Sequence, residues 1–367
     1  MVFYPLFLKL MKKEKHILTS AAVILTVCLF SISALGALKE TVGDLVCKYI
    51  SDEAPSFSIN ETDDSLTCDM TIRGGKSATI SFVTGKGVKG LSKPYTLNIN
   101  CGADTLKKLT VDMGKGTTGT VSVTAKDINA IKTSTCDLKV FSEGTKIKTI
   151  KADPGLSEAN APDAKVGYIQ VTQYVGNIEK AETTYKEPAP ESCVIFRSIE
   201  KIKTLKFNQY KQHWVSQIKA ENIGSIWSSS ISHLDVDQKI RALRTYNLTG
   251  HIRVGCREGS PDSSTSTNNV YLKGKILKVF VANVYDCQIR AGVPDLHDSD
   301  DPNYNYSVIK AQGVIGKFRV AAMVNSIVVS GKKMKIPGKR RRPYYGNNCE
   351  IWENCKLRKL TLKQGGN

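Results

Sequence analysis

The feature that most narrows the fold is a two-residue alternation of apolar and polar side chains between Ser56 and Lys148. In SFSIN, Phe57 and Ile59 share one side, and in LTCDMTI so do Leu66, Cys68, Met70 and Ile72. SATISFV, TLNINC, LTVDM and CDLKVF repeat the pattern, which carries Cys101 and Cys136 in phase with the apolar side. Period two is the period of a half-buried strand. Gly74-Gly75 between two such segments suits a tight hairpin. About seven short strands at this spacing predict an immunoglobulin-like β-sandwich over residues 37–150, although no tryptophan stands between its cysteines. Just before it, Val42, Leu45, Val46 and Tyr49 fall at the spacing of a short helix over Leu38 to Ile50.

From Lys151 to Lys165 the chain reads KADPGLSEANAPDAK, with Leu156 its only large apolar residue, and this composition predicts a linker. Residues 166–330 mix two periods. Phe207, Tyr210, Trp214 and Ile218 recur at helical spacing, as do Val236, Ile240 and Leu243. GYIQVTQYV, HIRVGC, VYLKGKILKVFVANVYDC and GKFRVAAMVNSIVV read as strands. The expectation is a mainly β chain, its second domain α+β or a barrel with helices packed on it, followed by a basic segment over 331–367. No internal repeat stands out.

The N-terminus speaks to compartment. Lys9, Lys12, Lys13 and Lys15 precede an uncharged run from Ile17 to Leu38, and Ala34-Leu35-Gly36 offers a small-x-small cleavage pattern. Residues 1–36 therefore read as a signal peptide, or as a type II anchor through residues 17–38, since that run is long enough to span a bilayer. Either way the body is secreted or displayed at the cell surface. In an oxidising compartment Cys47, Cys68, Cys101, Cys136, Cys193, Cys256, Cys287, Cys349 and Cys355 are disulfide candidates, and their odd number leaves one for a disulfide-linked partner. Asn60, Asn247 and Asn305 open glycosylation sequons.

The formal charge is +18, from 52 basic and 34 acidic residues. From Gly331 onward 11 basic residues face 2 acidic ones, so half of the excess sits in the last tenth of the chain. Lys332, Lys333, Lys335, Lys339, Arg340, Arg341 and Arg342, with Tyr344 and Tyr345, form a candidate contact for glycosaminoglycan, nucleic acid or an anionic membrane surface. Clustered cations release counterions from a polyanion, arginine adds bidentate geometry, and tyrosines offer rings for stacking.

Motifs for chemistry are sparse. Gly85, Gly87, Gly90 and Gly114, Gly116, Gly119 match G-x-G-x-x-G, but strand-like sequence follows each, so both read as hairpin loops. With Lys86, Lys89 and Lys115 they are expected at one end of the sandwich, as a basic tip. The acidic loop from Asp295 to Ser307 fails the EF-hand frame, because Tyr306 stands where glycine is needed. His251 with His213 or His233 offers the acid and base of a secreted basic hydrolase such as a nuclease, although nothing in the sequence brings them together. No cofactor or metal is expected. The favoured reading is an exported, disulfide-bonded adhesion or binding protein whose basic C-terminal segment meets a polyanion. N-terminal sequencing of the exported chain should begin at Ala37; a chain that retains residues 17–38 selects the anchored form.

Overall fold

The computed structural model describes residues 38–42, 44–51, 55–72, 77–179, 193–207, 214–255, 274–291, 313–336, 343–353 and 356–357. It is mainly β, with no helix among these residues. Each alternating segment is a strand, but apart from Ser56–Glu61 on Leu66–Thr71 these strands do not pair as hairpins. Leu66–Thr71 pairs in parallel with Tyr95–Asn100, which pairs with Gly119–Thr124, and that with Cys136–Phe141. The strands between them form a second parallel stack: Ser77–Thr84, Thr105–Asp112, Asp127–Ser134 and Lys146–Ala152. Every strand thus lies beside the next but one in sequence. The chain winds in coils, each laid on the one before, as a β-solenoid. An immunoglobulin-like sandwich is antiparallel. Alternation fixes which side chains point inward and says nothing of which strand lies beside which.

The solenoid continues through the segment expected to be a linker. Pro154–Val171 is one long strand, paired along its first part with Cys136–Phe141, along its second with Lys146–Ala152, and outward with Val194–Phe207. Its alanines are structural: Ala159, Ala161 and Ala164 point inward, at 0–1% exposure, where the narrow coil leaves little room. Asn222–Val236, Lys239–Val254 and Lys275–Ala291 add three further coils. Val314–Arg319, Ala322–Val324 and Ile327–Ser330 together make the next.

Two apolar ladders run the length of the stack. Ala78, Leu106, Ile128, Ile147, Val166, Ile199, Ile223, Ile240, Ile276 and Ile315 stand in register, coil upon coil. Ile80, Leu109, Ile131, Ile150, Ile169, Ile202, Ile226, Leu243, Val279 and Phe318 form the second, and no member of either is more than 2% exposed. From Leu106 onward the two members in each coil are three residues apart, as in LKKL, INAI, IKTI, VGYI, IEKI, IGSI, IRAL, ILKV and IGKF. Between them the strand bends and two successive residues face outward, the first of which drops out of the pairing. Glycine recurs at this bend. A Cβ on Gly167 would stand 2.8 Å from the Lys148 carbonyl oxygen, and one on Gly316 equally close to that of Leu277.

This bend explains the expected helices. Ile240 and Leu243 are three apart because they flank it, and Val236 closes the preceding strand. Phe207 ends one strand and Ile218 lies in another, Trp214–Lys219, while Tyr210 falls outside the described residues. The expected N-terminal helix is instead the antiparallel pair Leu38–Val42 and Leu45–Ser51, the latter laid antiparallel on Ser77–Thr84. Ser56–Glu61 covers Leu66–Thr71 in the same way, and at the far end Lys356–Leu357 folds back on Glu350–Glu353. These antiparallel additions cover the ends of a stack whose open edges would recruit other chains.

A second periodic feature turns the corners. His233, Gly250, Asp286, Asn325 and Asn348 all have positive φ, between 44° and 67°, one in each successive coil. Apart from glycine, His, Asn and Asp are among the residues that tolerate this conformation best. Asn325 Nδ2 donates to Asp286 Oδ1 at 2.6 Å, tying adjacent corners.

Truncating a ladder residue removes packing on two neighbouring coils at once. Ile226→Ala is expected to cost about 2–5 kcal/mol, whereas Lys203→Ala on the exposed side should stay within about 0.5 kcal/mol. Urea unfolding followed by circular dichroism measures both.

Candidate polyanion interface

The bend that buries the two ladders also aims side chains outward, and the outward residues stack in register too. One column runs Thr149, Tyr168, Lys201, Ser225, Ala242, Lys278 and Lys317. A second, two residues further along each strand, runs Lys132, Lys151, Gln170, Lys203, Trp227, Arg244, Phe280 and Arg319. Neither column holds an acidic residue. At the ~4.8 Å spacing of adjacent strands, eight rungs make a strip about 34 Å long.

Within the strip, aromatic rings and cations alternate on six consecutive rungs. Lys201 Nζ lies 5.7 Å from the Tyr168 ring centroid and 5.3 Å from that of Trp227. The Arg244 guanidinium lies 4.8 Å from the Trp227 ring and 5.2 Å from the Phe280 ring, and Lys317 Nζ lies 5.8 Å from Phe280. Trp227 and Phe280 each have a cation from the coil before and a cation from the coil after. Such contacts contribute ~0.5–1 kcal/mol each at exposed sites. Their larger effect is to hold long, flexible cations in fixed places.

Beside the strip, on the side where each coil enters this face, lies an open groove of about 920 Å³. Its floor is bare at Gly167 and Gly224, and its walls carry Lys146, Lys165, Arg197 and Arg241, with Asp163 and Glu200 as the acidic members.

The basic C-terminal segment joins this face. Lys335 forms a parallel bridge with Lys317; its N–H donates to the Gly316 carbonyl at 2.8 Å, and its carbonyl accepts from Phe318 N–H at 3.2 Å. Lys278, Lys317 and Lys335 are therefore three lysines on successive rungs. Like charges directly opposite one another on adjacent strands are destabilising, so stability alone does not explain such a column. Lys332 and Lys333 are exposed, and Tyr344 is 51% exposed. Tyr345, expected to stack on a ligand, is 8% exposed and packs in the core. Lys339, Arg340, Arg341 and Arg342 lie outside the described residues.

The two glycine-rich loops follow one another at one corner of adjacent coils. Gly90 bridges Gly114, and Lys115 N–H donates to the Lys89 carbonyl at 3.0 Å. Lys86, Lys89 and Lys115 are exposed there, and strand follows each loop.

Across the strands, cysteines face residues of other types rather than one another. Cys68 stacks on Leu97, and Cys136 stands between Gly119 and Pro154. Cys47, Cys68, Cys101, Cys136, Cys287 and Cys349 carry free thiols, so the expected disulfides do not form among them. The register of the coils sets one cysteine against a residue of another type. Cys193 is buried, and Cys256 and Cys355 lie outside the described residues. Burial pushes the Cys136 thiol up to about 11 and those of Cys47 and Cys101 to about 12. Burial likewise raises Cys68 and Cys287.

Of the sequons, Asn60 is exposed on its strand, and Asn247 is half-buried, its Oδ1 accepting from Asn283 Nδ2 at 3.1 Å. Asn305, His213, the acidic loop over 295–307 and residues 1–37 lie outside the described residues. His233 and His251 belong to adjacent coils, where the His233 ring packs beside Gly250. No group of acidic, His or Cys residues suited to a metal occurs among the described residues, and no helix there is long and apolar enough to cross a membrane.

No protein-family model, curated protein or solved structure matches this chain. The cation–aromatic strip is not apparent from the linear order of residues. Its signal is present in the I-x-x-I recurrence, whose outward residues define the face once the coils are aligned.

The raised thiols resist alkylation. In the native chain at pH 8, Cys47, Cys68, Cys101 and Cys136 should remain unmodified by iodoacetamide and become fully modified in denaturant, as read by peptide mapping. Their folded values lie above their unfolded ones, so their contribution to stability is complete below about pH 9 and declines as pH rises towards 11–12. Unfolding midpoints between pH 8 and 11 should fall accordingly.

Proposed function

We propose that this chain is an exported binding protein, secreted or anchored at the cell surface, that engages a polyanion along the cation–aromatic strip. The basic C-terminal segment extends the contact through Lys335. One observation carries the reading: two outward columns, in register over eight rungs, hold Lys and Arg among aromatic rings and no acidic residue. A merely soluble surface intersperses the two signs. Here the cations are fixed by ring contacts and crowd one another, an arrangement that a bound polyanion relieves and that isolated folding does not require. The basic stretch and apolar run at the N-terminus support export.

Binding through many cations is steeply salt-dependent, because each contact releases counterions. The chain should be retained on heparin and elute at elevated salt. Lys278→Gln, Lys317→Gln and Lys335→Gln combined should move elution to clearly lower salt while raising the unfolding midpoint, since they remove mutual repulsion. Alanine at Lys339 to Arg342 tests the tail separately. Elution at low salt from the unaltered chain would overturn the proposal.

A further inference from the structure

The geometry of the strip also bears on which polyanion fits, a question that rests on the polyanion reading proposed above. Three observations discriminate. First, the ring faces are occupied. Trp227 lies between Lys201 and Arg244, and Phe280 between Arg244 and Lys317. Single-stranded nucleic acid is held by bases stacking on open aromatic faces, whereas these two rings already carry two cations each. Second, the cations held against rings recur on every second rung: Lys201, then Arg244, then Lys317. That interval is about 9.5 Å at the strand spacing, close to a disaccharide in an extended pyranose chain and longer than a nucleotide step. Third, the adjoining groove places Asp163 and Glu200 among its cations, above a floor left bare at Gly167 and Gly224. Carboxylates accept hydrogen bonds from hydroxyl groups. A sugar chain carries many such donors, whereas a phosphodiester group or a lipid phosphate offers these two carboxylates only acceptors.

We infer that the occupant is a linear anionic polysaccharide lying along the solenoid axis, its carboxylate or sulfate groups on Lys201, Arg244 and Lys317 and its hydroxyl-bearing edge in the groove. The axis supplies a straight, repeating template, so the polymer's own period is matched without bending. The narrowness of the strip, two residues wide with an open groove beside it, fits one extended chain better than the broad plane of a membrane.

The test uses the full chain and three probes: heparin-derived oligosaccharides from disaccharide to decasaccharide, a single-stranded oligonucleotide of matched charge, and phosphatidylserine vesicles. Oligosaccharide affinity should climb with each added disaccharide up to about the hexasaccharide, which reaches all three ring-held cations, and then level off. Arg244→Gln should weaken the hexasaccharide about tenfold, the loss of one charge-assisted contact, with an unchanged circular dichroism spectrum showing that the fold is intact. The combination Asp163→Asn with Glu200→Gln separates the ligand classes. It should weaken oligosaccharide binding and strengthen oligonucleotide binding. Oligonucleotide or vesicle binding as tight as that of the hexasaccharide overturns the inference and leaves the polyanion reading standing, as does a gain in affinity for every probe in the double variant. Failure of all three probes to bind overturns both.

Discussion

Everything in this molecule depends on one repeated contact: an aliphatic side chain seated on the aliphatic side chain of the coil before. The two ladders that contain Ile223 and Ile226 give each coil a hydrophobic surface that is half a core until the next coil arrives. Backbone hydrogen bonds add direction but little selectivity, since every rung offers the same donors and acceptors. Register comes from the side chains. A slip of one residue would turn Ile226 outward and Trp227 inward, and the three-residue spacing across the bend makes partial slips equally poor.

The face that carries the proposed function is the other side of the same bend. The second outward residue of each bend and the outward residue two further along the strand become two columns once the coils are stacked. The geometry multiplies whatever residue occupies an outward position, and so a modest bias toward Lys and Arg becomes a line of charge. The rings of Tyr168, Trp227 and Phe280 space that line. Folding energy and binding geometry thus come from opposite sides of the same strands.

Much of the local structure is legible in the residues. Alternation at Leu66–Thr71 and Ser77–Thr84 identifies strands and their buried sides, and those side chains are buried. Parallel stacking is not legible, because the pairing partner of Leu66–Thr71 lies 29 residues away at Tyr95–Asn100 and the intervals between coils vary. Insertions of unequal length hide the period. Spacing of three between Ile240 and Leu243 imitates a helix for a physical reason, since a bent strand and a helix both return to one side after three residues. Composition misleads at Ala159 and Ala161, where small residues mark tight packing and not solvent. For the candidate site, the cationic tail is visible as a run, and Lys335 does join the basic face. Lys201, Arg244 and Lys317 are invisible as a group, because sequence distances of 43 and 73 residues become two rungs each only after stacking.

The antiparallel strands at the N-terminal end have a further consequence. Leu45–Ser51 lies on the edge of the first coil's Ser77–Thr84, so the part of the body synthesised first is the part that closes the starting end. Every later coil needs only its predecessor as a template. Such a chain can assemble vectorially, gaining order at the pace of its emergence, with one growing edge exposed at any time and no long-range closure to await.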